Sequence, residues 1–252
     1  MYFRCVFLLL AVAVARSAFP QNIRRITHRD GLSNSSILSL AQDADGHIWA
    51  GSCDGLNLWD GNSARNFRFS GNLIQEIVAT DDGYLWVRTN YGVDRFDTRD
   101  RRIEMLAGFQ RVYKFAARSR DEAFFLHGNK LYGYVASKGA FEPVDVRGAE
   151  LTGVLRMCFD GDGALWLVRS GDIRCAQVAY DADGRASVGE WERMTMPDGV
   201  VFTRYDGDRT IFFTDRNGML FRFDTEQRRA FPIFDLREEL GRRGALSSVS
   251  SD

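Results

Sequence analysis

Gln42-Asp43-Ala44-Asp45-Gly46-His47-Ile48-Trp49-Ala50-Gly51-Ser52, running on into Gly55-Leu56-Asn57-Leu58-Trp59-Asp60, decides the architecture because the chain repeats it. The pattern returns as Asp82-Gly83-Tyr84-Leu85-Trp86-Val87-Arg88-Thr89 followed by Gly92-Val93. A third copy is Asp160-Gly161-Asp162-Gly163-Ala164-Leu165-Trp166-Leu167-Val168 followed by Gly171. Two weaker copies centre on Phe125 and Phe213; aligning these with the tryptophans gives steps of 37, 39, 41 and 47 residues. A period of roughly 40–50 residues fits a four-stranded propeller blade, and helical solenoids have similar periods.

The runs inside each unit separate the two. Ile37-Leu38-Ser39-Leu40-Ala41, Ile48-Trp49-Ala50 and Leu56-Asn57-Leu58-Trp59 are short, aliphatic or aromatic, and fenced by Asp, Gly, Asn or Ser, as strands are. Ala164-Leu165-Trp166-Leu167-Val168 is apolar on both faces, as a strand buried between stacked blades must be. Only Leu236 to Leu240 offers a helical turn. The expectation is an all-β propeller of four-stranded blades, with about five blades and the first strand of a sixth. Repeat units fall near 26–70, 71–108, 109–147, 148–196 and 197–234, with the next starting at 245.

Asp-x-Asp-Gly between strands is a hairpin signal, since Gly takes positive φ and Asp bonds neighbouring backbone N–H groups. Asp43, Asp45, Gly46, Gly55, Gly83, Gly92, Gly163 and Gly171 therefore read as turn builders. A calcium loop would need its acids spread over about twelve residues with a closing Glu, and no turn has that. Trp49, Trp86 and Trp166 recur at one strand position and read as packing residues rather than a sugar-stacking platform. No Cys-x-x-Cys or Cys/His cluster points to zinc, so neither metal nor cofactor is expected.

With 45% hydrophobic and 27% charged residues and a formal net charge of −1, the chain offers no field for nucleic acid or lipid. Arg4, the apolar run from Val6 to Ala15 and the small residues up to Ala18 have the form of a secretory signal, residues 1–18. That run is too short to span a bilayer, and no other segment qualifies. Of the four cysteines, Cys5 would leave with the signal. Cys158 and Cys175 share a repeat, where a disulfide and buried thiols are competing readings, and Cys53 is left over.

Gly31-Leu32-Ser33-Asn34-Ser35-Ser36-Ile37, the Gln42–Ser52 stretch and Gly55 to Gly61 together resemble the two-component regulator propeller repeat. That repeat is found in periplasmic sensors of Bacteroides-type hybrid two-component systems. The first copy matches almost throughout, with Gly51-Ser52 for the usual Gly-Thr, whereas Val87-Arg88-Thr89 lacks the Gly before Thr. The resemblance implies an N-terminal fragment, an open arc of a seven-bladed ring ending inside a repeat, with Ile23-Arg24-Arg25-Ile26 as a ring-closing strand. It implies a periplasmic location, an inner-membrane parent with a histidine kinase, an oligosaccharide ligand and a homodimer formed through the parent.

The turns after the Trp strand are the candidate ligand surface, because propeller loops converge on one face. They carry Ser52 and Asp54; Arg88, Asn90 and Tyr91; Arg169 and Asp172; and Asp215, Arg216 and Asn217, which suit sugar hydroxyls or an acidic sugar. A propeller glycoside hydrolase or lyase is the enzyme alternative. It would need a singular pair of carboxylates about 5 to 9.5 Å apart, and the acids here repeat in turns. No catalytic residue is assigned and no kinase signature occurs. A scaffold propeller holding another exported protein is the other alternative.

Overall fold

The structure is a computed structural model, which describes residues 25–106, 109, 112, 114–169, 171–196, 200, 202–205 (backbone) and 210–235. The expected signal segment, the Leu236–Leu240 turn and the repeat start at 245 lie outside the described residues. Blade one is β1 (Ile37–Gln42), β2 (Ile48–Ser52), β3 (Gly55–Trp59) and β4 (Ala64–Phe67), paired antiparallel in that order. Blade two repeats the order with β5 (Ile74–Ala79), β6 (Tyr84–Thr89), β7 (Val93–Asp97) and β8 (Arg102–Met105). Blade three has β9 (Lys114–Ser119), β10 (Glu122–His127), β11 (Lys130–Val135) and β12 (Ala140–Pro143).

Blade four is enlarged. A short β13 (Asp145–Val146) precedes β14 (Val154–Phe159), β15 (Ala164–Arg169), the nine-residue β16 (Asp172–Tyr180), β17 (Ala186–Val188) and β18 (Glu192–Thr195). The first half of β16 pairs with β18, and its second half runs on into a hairpin with β17, onto which β13 adds in parallel. This extra hairpin explains the long final step between repeats. Blade five is β19 (Phe202–Tyr205), β20 (Thr210–Thr214), β21 (Met219–Asp224) and β22 (Arg229–Asp235).

The first full strands of successive blades, β1, β5, β9, β14 and β19, lie side by side, so they are the inner strands of a propeller arc. No contact of comparable extent joins β19 to β1 among the described residues. Arg25 and Ile26 form no strand, and Ile23 and Arg24 lie outside the described residues. Instead Thr27 caps a 3-10 turn over His28–Asp30, where the Asp30 carboxylate accepts from the Thr27 N–H at 2.8 Å.

Each seam between blades is a separate apolar core. Trp49 packs with Leu85, Val87 and Phe96 of blade two, and Trp86 with Phe115, Phe125 and Tyr134 of blade three. Trp166 packs with Ile211, Phe213 and Phe223 of blade five. The tryptophans thus face the blade that follows. Phe125 and Phe213 face the blade before, which corrects the alignment made by spacing. The tryptophan position is held in blade three by Phe124, which meets Phe159 of blade four, and in blade five by Phe212. A one-residue slip along a strand turns a side chain to the opposite face, and these weak copies have two or three consecutive apolar residues, which hide the slip.

The Asp turn and the tryptophan form one unit. Asp43 Oδ1 accepts from the N–H groups of Asp45 and His47, while Oδ2 accepts from Trp49 Nε1 at 2.7 Å. Asp160 does the same for Asp162, Ala164 and Trp166, the last at 2.6 Å. Gly46, Gly83 and Gly163 close these turns at φ of +86°, +87° and +81°. In blade two Thr80 stands where the first Asp would be. Trp86 Nε1 then donates across the seam to the Ser119 carbonyl at 2.8 Å, and Asp82 accepts from the Arg120 N–H at 2.6 Å. The same turn recurs at Asp181–Arg185 in the outer hairpin of blade four and at Asp215–Met219 in blade five.

Cys158 and Cys175 each lie opposite Trp166, on the strands either side of it. Two strand spacings put their Cα atoms about 9–10 Å apart, beyond the roughly 7 Å limit of a disulfide. Both are buried thiols, and burial pushes Cys175 up to about 11. Alkylation of the native protein, read by mass spectrometry, is expected to modify the half-buried Cys53 at least about tenfold faster than either. Asp160→Ala, which strands a buried indole N–H and two turn N–H groups, should lower unfolding free energy by about 2 kcal/mol in urea titrations. Asp160→Asn should cost less, because one oxygen still serves the turn.

Candidate functional site

The bonds and exposure of the turns after the second strands separate structural residues from available ones. Ser52 is buried, with its Oγ donating to the Gly55 carbonyl and accepting from the Asp54 N–H. Gly55, Gly92 and Gly171 all have positive φ, at 107°, 153° and 94°. Asn90 Oδ1 accepts from the Leu73 N–H, whereas Tyr91 is 54% exposed. Asp215 is buried in its turn, with Asn217 bonded to it, and Arg216 is exposed. Arg169 and Asp172 meet as an ion pair at 3.8 Å, but Arg174 at 3.0 Å and Arg193 at 2.8 Å also hold Asp172. Three guanidiniums enclose that carboxylate, which serves blade four.

Arg88 is placed differently. It occupies the position of Gly51, two residues beyond the tryptophan. In blade one a Cβ at Gly51 would stand 2.5 Å from Ile74 Cγ2, so only glycine fits that seam. In blade two the guanidinium reaches inward, donating to Glu76 at 3.1 Å, Gln75 at 2.5 Å and the Val112 carbonyl at 3.2 Å.

Register identifies the inner-strand neighbours. Ser39 pairs with Gly51, Glu76 with Arg88, Lys114 with Leu126 and Arg156 with Val168. These four pairs are one position in four blades, and in β1, β5 and β14 it follows a bulge. A bulge swings the strand and re-aims the next side chain. Arg156 Nη1 of blade four reaches Glu76 Oε1 of blade two at 2.9 Å, passing over blade three, so the pair spans the propeller axis. Ser39 Oγ accepts from the Ile77 N–H at 3.0 Å and ties blade one to the same ring.

Arg88, Lys114 and Arg156 thus share one carboxylate, Glu76. Burial pulls the Lys114 ammonium below its ordinary value; Glu76 opposes this, and the guanidiniums of Arg88 and Arg156 add to it. Arg156 Nε is buried with no hydrogen-bond partner among the described residues. The cluster has a surplus of positive charge and a donor in reserve, a combination suited to an oxyanion.

Two concavities lie away from this cluster. One of about 200 Å³ is lined by Tyr84, Arg95, Asp97, Asp100, Arg102, Glu104 and Arg120, with cations and carboxylates in balance. Its Arg95 is a seam rivet, bonded to Glu104 and to the Arg120 carbonyl and lying over the Trp86 and Tyr134 rings. The other, about 640 Å³, is an open groove along β12, β13 and the chain to Thr152. Among the described residues no group of His, Cys, Asp and Glu could hold a metal ion, and no helix is long and apolar enough to cross a membrane.

Of the residues expected from sequence, Arg88 lies in the axial cluster. Glu76, Lys114 and Arg156 were not foreseen. Their signal was a charge at the same place in otherwise apolar inner strands, and the loss of glycine at Arg88.

Residues 31–54 match the model of the family described as "Two component regulator propeller". Over 62 residues, 25% of this chain and 4% of the relative, the chain is 37% identical to Histidine kinase P4 of Formosa agariphila. The fold is similar to the extracellular domain of a hybrid two component system of B. thetaiotaomicron, with a TM-score of 0.52 and 14% identity over 81% of this chain and 36% of that one. It is also similar to PorZ, a surface component of the type-IX secretion system of Porphyromonas gingivalis, with a TM-score of 0.62 and 16% identity over 86% and 30% of the two chains. The chain therefore spans about a third of those structures and a small part of the kinase. At these structural identities the likeness is one of fold.

Lys114→Gln is expected to raise the thermal midpoint at neutral pH. The folded value of Lys114 lies below its unfolded one, so the cost of the buried charge is present at neutral pH. That cost fades as pH rises towards 10.5, and so should the advantage of the variant. Scanning calorimetry at both pH values checks it; an equal advantage at both would remove the charge as the cause.

Proposed function

We propose that this chain, which belongs to the two component regulator propeller family through the repeat at residues 31–54, is the ligand-sensing part of a signal-transduction protein. Its ligand is a breakdown product of a complex glycan, and the signal passes to a histidine kinase beyond the matched region. The observation that carries this reading is the axial cluster. Arg88, Glu76, Lys114 and Arg156 come from three blades and meet where no packing core requires them. Polar groups held on rigid strands at a convergence of repeats form the usual setting for a small-ligand site. Tyr91, exposed on the turn two residues beyond Thr89 at the same end of blade two, adds a ring face for a sugar.

The remaining parts of the proposal follow from the family. Residues 1–18 export the chain to the periplasm, the parent sits in the inner membrane, and the parent forms a homodimer. Asn90, Arg169, Asp172, Asp215, Arg216 and Asn217 line the rim around the axial opening. Any conformational signal has to pass through the seams, because each inner strand is bonded within its own blade.

Thermal unfolding of the chain in the presence of a panel of oligosaccharides tests the reading. A true ligand at about 100 times its Kd should stabilise the fold by about 2.7 kcal/mol. Arg88→Ala should remove that shift, and Arg216→Ala should leave most of it. The reading is overturned if no member of a broad glycan panel shifts the midpoint.

A further inference from the structure

We infer that the axial site is built for the anionic group of its ligand, and that Glu76 occupies the place of that group in the ligand-free protein. Three cations converge on the axis against one carboxylate: Arg88 at 3.1 Å and Arg156 at 2.9 Å from the two oxygens of Glu76, with Lys114 beside them. Counting Arg88, Lys114 and Arg156 against Glu76 leaves a formal excess of two positive charges. The Arg95 seam has the opposite balance, with Glu104 and Asp121 answering one guanidinium, and around Asp172 the charge is relieved differently, since Arg169 also meets Glu150 and Arg193 is largely exposed. A structural ion pair needs no such excess. Burying uncompensated cations costs stability, and a site that bears this cost is one whose missing charge arrives with a ligand.

Geometry points the same way. Each oxygen of Glu76 is bonded to a different arginine, one from its own blade and one from across the axis. An incoming carboxylate or sulfate oxygen can take over Arg156, whose Nε is still without a partner, and use Lys114 as a second donor. Exchange of this kind breaks the only ion pair seen between blades two and four among the described residues. The ligand thereby replaces an internal contact across the axis with a contact to itself. A neutral sugar makes hydrogen bonds to the same donors but does not meet the charge.

The inference rests on the glycan reading for the body of the ligand and stands apart from it for the anion. Isothermal titration of the 252-residue chain is run with oligogalacturonate, a sulfated disaccharide, neutral galacto-oligosaccharide and inorganic sulfate. One or both acidic sugars should bind, about tenfold or more tighter than the neutral one, and binding should weaken as salt rises. Which acidic sugar binds separates carboxylate from sulfate. Glu76→Gln, which removes the internal competitor, should tighten binding by about tenfold, Arg156→Gln should weaken it by about tenfold, and Arg156→Lys should retain most of it. Circular dichroism accompanies each variant; if Glu76→Gln does not fold, the Arg156 pair alone decides. Neutral sugar binding as well as the acidic ones, with charge variants silent, overturns the anion site and leaves the sensing reading in place. Sulfate binding that follows the variants while all sugars fail keeps the anion site and overturns the glycan reading. No binding by any of the four overturns both.

Discussion

A carboxylate that holds a turn with one oxygen and a tryptophan with the other is the constraint on which the rest is arranged. Asp43 and Asp160 each accept two backbone N–H groups and an indole N–H. The hairpin geometry and the side-chain orientation of the tryptophan are therefore set together. Because the indole then lies against the following blade, the same bond that shapes one sheet also aims it at the next. A buried indole N–H without a partner would cost about 1–3 kcal/mol, so the pair is kept or replaced as a pair. Blade two replaces it: with Thr80 in place of the aspartate, the indole of Trp86 borrows the Ser119 carbonyl of blade three, and Arg95 takes the next carbonyl along. Intra-blade order is exchanged there for a bond across the seam.

Much of the fold was legible because a repeated unit states its strands several times over. Trp49, Trp86 and Trp166 mark the second strand of three blades, and the Asp-Gly turns mark its start. Where both marks fade, period alone is not enough. Phe124-Phe125 and Phe212-Phe213 are adjacent pairs, and which member faces forward depends on the register with the neighbouring strand. The outer hairpin of blade four was also hidden, although Asp181-Ala182-Asp183-Gly184 repeats the Asp43–Gly46 turn residue for residue. It sits at a different connection, so spacing from the tryptophans does not find it.

The site was less legible for a physical reason. A ring position contributes one residue per blade, and Ser39, Glu76, Lys114 and Arg156 share no chemistry that a repeat search could recognise. What they share is a place set by strand register, which in three of the four blades follows a bulge. The informative sign was a departure: arginine where the seam of blade one admits only glycine. Conversely, Asp215 carries the residue type of a sugar site while both its oxygens accept bonds within its own turn. Residue type without register shows neither which inner-strand side chains meet nor which turn side chains are already bonded.

The parallel pairing of β13 with β17 has a mechanical meaning. β13 leaves blade three and is laced into the outer sheet of blade four, with Arg147 N–H adding a further bond to the Val188 carbonyl at 2.9 Å. Blades three and four are thereby coupled at the rim as well as along their inner strands, and they must rock as one stiff sector. Bending of the arc is left to the other seams, where among the described residues no strand of one blade is laced into the outer sheet of the next. The lever arm for any displacement at the axis is therefore set at the periphery, far from the residues that would start it.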